Sequence, residues 1–191
     1  MDQETVYRRT VEGWTARVAA VGPDQWSLPT PCEDWDVRTL VNHVVGEDAW
    51  TDPLVRGSTI DDVGDRLDGD LLGDDPHRAA RDAAAEATRA VGEELASGGK
   101  VHLSYGDEDM AEYVAQLAAD HLIHGWDLAV ATGGDTGLDD DLVEAVATWF
   151  AEREEMYRAA GVIAERVEAD GDPQAQLLAR FGRDPRWGPP G

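Results

Sequence analysis

One cysteine, Cys32, one lysine, Lys100, and no long apolar run mark what this chain does without. A single thiol cannot form an intramolecular disulfide, so the fold does not require an oxidising compartment. Positive charge is equally scarce, with 16 basic residues against 40 acidic ones and a formal net charge of -24. A surface of that sign repels phosphate and anionic lipid, which argues against nucleic acid and against membranes as partners. No apolar stretch approaches the length that spans a bilayer, and Met1-Asp2-Gln3-Glu4 is acidic where a secretion signal is basic. The expected location is the cytoplasm. The acidity itself is explained most simply by solvated helix faces.

With 191 residues the chain has the size of one domain, residues 1–191, large enough to bury a core. Apolar spacing predicts a first helix over 4–21, closed by Gly22-Pro23. The segment Trp26 to Trp35 holds Pro29 and Pro31 and reads as a loop, with Asp34 or Asp36 capping a second helix that begins at Val37. That helix is expected to run to Trp50 and to end at Asp52-Pro53. A long glycine- and aspartate-rich crossover follows, and its length lets the second and third helices lie parallel. The third helix should span 77–96. Val101 to Tyr105 alternates like a strand without an evident partner and is assigned to loop. A fourth helix, apolar nearly all round and therefore central, begins at Asp109 and stops at Gly133-Gly134. A fifth is expected from Asp139 or Asp140 to about Ala160, and a short one over 174–181. The fold class is all-α.

The densest chemistry lies in Asp120-His121-Leu122-Ile123-His124-Gly125-Trp126-Asp127. Residues four apart on a helix are turned by about 40°, so Asp120 and His124 can converge on one ion. His121 and His124 differ by about 60°, and spacing alone does not choose between them. His43, set among valines of the second helix, must be a neutral hydrogen-bonded imidazole, a carboxylate partner or a metal ligand. Glu47, one turn after it, suits an exposed ion pair, with orientation of His43 or a direct ligand role as alternatives. His77 and His102 sit near loops and read as solvent-exposed. Asp127 has three readings: a cap, an arginine partner, or a hydrogen-bond acceptor for a ligand histidine. Cys32 has no base beside it in sequence and reads as a buried loop thiol. Trp35 and Trp126 read as apolar packing, with a pocket lining as the alternative.

Three blocks carry a family resemblance: Pro31-Cys32-Glu33-Asp34-Trp35-Asp36-Val37-Arg38-Thr39-Leu40-Val41-Asn42-His43, the run from Asp120 through Gly133, and Leu177-Leu178-Ala179-Arg180-Phe181-Gly182-Arg183-Asp184-Pro185. In them the chain resembles the metal-binding domain of mycothiol-dependent maleylpyruvate isomerase, within the DinB-like four-helix bundles. The resemblance implies a bundle with a long crossover between helices two and three and accessory C-terminal elements. It also implies a divalent-metal site, zinc or nickel, formed by His43, Asp120 and His124, with His121 a neighbour. Asp120 stands where the isomerase has the longer Glu, and the chain leaves no room for the isomerase's separate C-terminal domain.

Three protein ligands leave one coordination position open, as a catalytic site requires. The resemblance implies mycothiol or a similar low-molecular-weight thiol there, activated as a thiolate that adds to an electrophilic substrate. Arg38 is the candidate for binding a carboxylate of thiol or substrate. The expected function is thus a thiol-dependent transferase or isomerase. A non-catalytic metal or small-ligand binding protein and a metal-dependent hydrolase are the other classes, and a homodimer is left open.

Overall fold

Side-chain caps set most helix starts. The computed structural model describes residues 1–188. In it α1 (Gln3–Ala19) begins where Asp2 accepts from the Thr5 amide, and α2 (Val37–Val55) where Asp36, not Asp34, accepts from Thr39 at 2.8 Å. Asp34 instead takes a left-handed backbone, φ 65°, one of the few conformations with positive φ that Asp tolerates. A single turn, α3 (Ile60–Val63), interrupts the crossover. α4 (Pro76–Glu94) follows, with Asp75 as cap and proline at its start. The central α5 (Met110–Thr132) ends at Gly133 in the left-handed region, φ 71°, where the Gly133 amide reaches the Ala129 carbonyl.

α1 packs chiefly on α5, and α2 on α4. Contacts between matching ends give the directions. Gln3 meets Ala111 and Gln25 meets Thr132, so α1 and α5 run parallel. Arg38 meets Gly73 near the start of α4, and Arg56 meets Glu93 and Glu94 at its end, so α2 and α4 also run parallel. The long crossover predicts this. The two pairs oppose each other: Thr51 of α2 lies by Tyr113 early in α5, whereas His43 lies by Asp120 farther along it. Ala80, Ala84, Ala87 and Ala90 are buried along α4 and keep its neighbours close.

Three sequence expectations are corrected. α2 continues through Pro53 to Val55, because a proline in the last turn forfeits only the bond its own amide would make to Ala49, and later amides still close on Asp52 and Leu54. Lys100–Leu103 is a strand, β1, paired antiparallel with β2 (Gly106–Asp109). Its partner is the acidic run immediately after the turn, which has no apolar alternation to announce it. The fifth helix is broken: α6 (Asp140–Ala151) stops, Arg153 leaves helical geometry at φ -120°, and α7 (Glu154–Ala159) restarts. Arg153 is drawn aside by Glu112 of α5, 2.6 Å from its Nε.

α8 (Pro173–Arg180) packs on α6 over Phe150 and Phe181, whose rings stack at 4.0 Å. Gly182 then turns the chain at φ 77°, where a Cβ would lie 2.7 Å from the Cβ of Ala164. Only glycine fits there. Among the described residues no helix is long and apolar enough to cross a membrane.

Candidate metal centre

α2 and α5 bring His43, Asp120 and His124 together, with one candidate ligand atom from each lying within 4.8 Å of the others. His43 Nε2 is 3.7 Å from Asp120 Oδ2, and the two imidazoles meet edge to face with centroids 5.2 Å apart. Burial pushes His43 down, but Asp120 outweighs it and holds the imidazole above its ordinary value. Burial works upward on Asp120, yet the neighbouring imidazoles of His43 and His124 bring that carboxyl down to about 2. The loop between α1 and α2 closes over this group. It is pinned by Thr30 to Trp35 and Val37 to Leu28 backbone bonds, and Trp35 covers both rings at 4.9 Å from His43 and 6.1 Å from His124.

His124 is oriented from behind. Its Nδ1 lies 3.0 Å from Asp127 Oδ2, which leaves Nε2 as the free ring nitrogen. Asp127 is fully buried and receives Arg183 at 2.9 and 3.0 Å, a two-nitrogen clasp from the segment after α8. Asp127 therefore pairs with an arginine and also accepts from His124, the histidine expected to be a ligand. The Cys32 thiol donates to the same carboxylate at 3.3 Å and lies 3.2 Å from Arg183 Nη2 and 3.9 Å from His124 Nδ1. Burial first, then the charge of Asp127, pushes that thiol up to about 12, and Arg183 only partly offsets them. Cys32, His124 and Asp127 form a second group with metal-like spacing. Its carboxylate is already neutralised by Arg183, and it shares His124 with the first group.

The adjacent histidine behaves differently. His121 is wholly buried, with Nδ1 on the Leu117 carbonyl at 2.7 Å and Nε2 on Asp48 at 3.1 Å, so both ring nitrogens are occupied inside the core. Tyr7 and Trp14 meet its ring edge to face.

Several expected roles change. Glu47 has no ion pair among the described residues. It lines, with Asp120, a cavity of about 590 Å³, and burial followed by the charge of Asp120 pushes its carboxyl up to about 7. Arg38 is engaged elsewhere, donating to Asp70 at 2.8 Å and to the Gly73 carbonyl, where it fastens the crossover. The arginine seated at the cluster is Arg183. His77 is not simply solvated, since its Nε2 meets the Val21 carbonyl at 3.0 Å and its ring packs on Trp26. His102 is exposed and paired with Asp107. Trp126 is buried in the core as expected. Sequence reading missed Arg183 and the surroundings of Cys32, although both lie in blocks that carry the resemblance.

Residues 7–129 match the sequence profile of the family described as Mycothiol maleylpyruvate isomerase N-terminal domain. The chain is also similar to two relatives from Mycobacterium tuberculosis, the uncharacterized protein Rv0738 of strain H37Rv and the uncharacterized protein MT0763 of strain CDC 1551 / Oshkosh. Each is 32% identical over 194 residues, covering 97% of this chain and 100% of the relative. No solved structure matches the chain significantly.

Proposed function

The chain belongs to the mycothiol maleylpyruvate isomerase N-terminal domain family, and from that premise we propose that it holds one divalent metal ion, zinc in the first instance, for thiol-dependent transfer or isomerisation. The ligands in this reading are His43, Asp120 and His124. The donor set suits the ion: two imidazoles and a carboxylate are the borderline ligands zinc and nickel prefer, and three of them leave a fourth position for a reactant.

The observation that carries the reading is the hydrogen bond from His124 Nδ1 to Asp127, itself clasped by Arg183. Ligand histidines are characteristically held this way, with a carboxylate fixing the tautomer and the ring plane. An ion in this setting lowers the pKa of a bound thiol, so that the thiolate is available near neutral pH. The protein's own thiol does not compete for that role. Cys32 is engaged by Asp127 and Arg183, so the nucleophile is read as an external low-molecular-weight thiol, mycothiol by family. Trp35 shields the imidazoles from bulk water and confines the approach of reactants.

Metal analysis of the purified protein tests this. Wild type should carry close to one equivalent, and His43→Ala and His124→Ala should each lose it. Unchanged metal content in both variants would overturn the ligand assignment. Titration of the metal-loaded protein with mycothiol should then show saturable binding. A loaded protein that binds no thiol but hydrolyses simple esters or amides would instead be a hydrolase, and one that does neither would be a binding protein.

A further inference from the structure

Asp120 has two neighbourhoods. On one side are His43 and His124, and on the other is the cavity of about 590 Å³ between α5 and the C-terminal elements. Its walls are Trp149, Phe150, Tyr157, Ile163 and Phe181. The charged residues lining it are Glu47, Glu108 and Asp120, and no arginine, lysine or histidine is among its lining residues. Arginines do pack on its aromatic walls, Arg153 over Trp149 at 5.3 Å and Arg180 over Phe150 at 5.1 Å. Each is already held by a carboxylate, Glu112 at 2.6 Å and Glu154 at 2.7 Å, and offers no free charge to a ligand.

The rim is as unusual as the walls. Four large apolar side chains are exposed among the described residues, and three of them, Tyr105, Met156 and Val162, stand around this one opening at 68, 59 and 67% exposure. Apolar surface gathered at a cavity mouth is the pattern of a ligand site more than of scattered exposure.

We infer that this cavity binds an uncharged, largely apolar molecule, which under the function proposed above is the electrophilic substrate, seated with its reactive end toward Asp120. A dicarboxylate is the wrong chemistry for it. A divalent ion at His43, Asp120 and His124 brings two positive charges, which the carboxylates of Asp120 and Glu108 already offset, with Glu47 a further acidic group on the lining. A carboxylate seated on the aromatic walls, away from the ion, would be desolvated without a cation to pair with. The inference rests on the metal reading only for which end of the substrate points inward.

A pair of fluorescent dyes of similar shape separates the alternatives: the neutral phenylnaphthylamine and the anionic anilinonaphthalene sulfonate, each titrated into the full chain with and without zinc. The neutral dye should bind at least tenfold more tightly in both preparations. Ile163→Trp, which fills the wall, should weaken it at least fivefold. Met156→Lys with Val162→Lys, both at exposed positions where folding is not at stake, should narrow the preference at least threefold by supplying cations at the rim. Melting curves like that of wild type confirm that each variant is folded. Equal or tighter binding of the anionic dye to wild type would overturn the inference, as would unchanged neutral-dye affinity in folded Ile163→Trp together with an unchanged preference in the folded lysine variant. Because the dyes are read without zinc as well, loss of the metal reading through the His43→Ala and His124→Ala controls leaves this result standing, and the reverse holds too.

Discussion

The bundle of α1, α2, α4 and α5 and the segment from α6 onward are built by different means. In the bundle, alanines, valines and Leu40 reach complete or nearly complete burial, and α1 and α2 each pack on both α4 and α5 through close-packed apolar faces. The later segment is attached by stacked aromatics and by arginine–carboxylate pairs: Arg153 with Glu112, Arg158 and Arg180 with Glu154, Arg183 with Asp127. The family match, residues 7–129, covers nearly all of the bundle and stops before α6. His43, Asp120 and His124 lie in the first region, and half of the cavity lining, Trp149, Phe150, Tyr157, Ile163 and Phe181 among it, lies in the second. The contrast separates a framework that carries the three candidate ligands from an attachment that supplies the aromatic side of the cavity beside them.

Four substitutions can break or sharpen that division. Leu40→Ala should have the largest effect, about 3–5 kcal/mol of lost stability for a fully buried leucine, read by denaturant unfolding, with dye preference unchanged in the folded fraction. Arg183→Met should come next. It leaves the buried Asp127 carboxylate without its counter-charge, which costs about 3 kcal/mol, and it should weaken zinc binding. Arg183 acts through Asp127 on His124, so a purely structural role would lower stability but leave zinc affinity of the folded protein untouched. Asp127→Asn keeps the shape and removes the charge, and should cost about 10- to 100-fold in zinc affinity, measured by competition with a chelator.

The smallest effect is expected at Glu154. Burial works to raise that carboxyl, but hydrogen bonds from Arg180 and Arg158 hold it below its ordinary value. Its contribution is therefore complete above the unfolded carboxyl pKa and is lost as pH falls through the lower folded value. Glu154→Gln should lower stability at neutral pH by no more than about 1 kcal/mol and flatten the acid-side decline in a pH series of melting temperatures. An unchanged acid slope would show that these pairs do not secure the attachment.

Much of the bundle was legible because its signals are local. Capping aspartates, the glycine stop at Gly133 and the apolar period of α5 all sit within a few residues of what they specify. The candidate centre was legible only with the resemblance. Spacing does not choose between His121 and His124, and what separates the two histidines is Asp48, which claims Nε2 of His121 from across the core. The break before Arg153 was not legible, since no proline or glycine marks it and its cause, Glu112, lies in another helix. Arg183 escaped for the same reason: nothing near it in sequence shows that its partner lies 56 positions earlier.

That separation orders events during synthesis. His43, Asp120 and His124 have all left the ribosome before the residue that neutralises Asp127 has been made, so a nascent bundle that closes early encloses a carboxylate still without its counter-ion. The carboxylate that orients His124 thus receives its counter-charge from outside the bundle, through the turn at Gly182 that delivers Arg183.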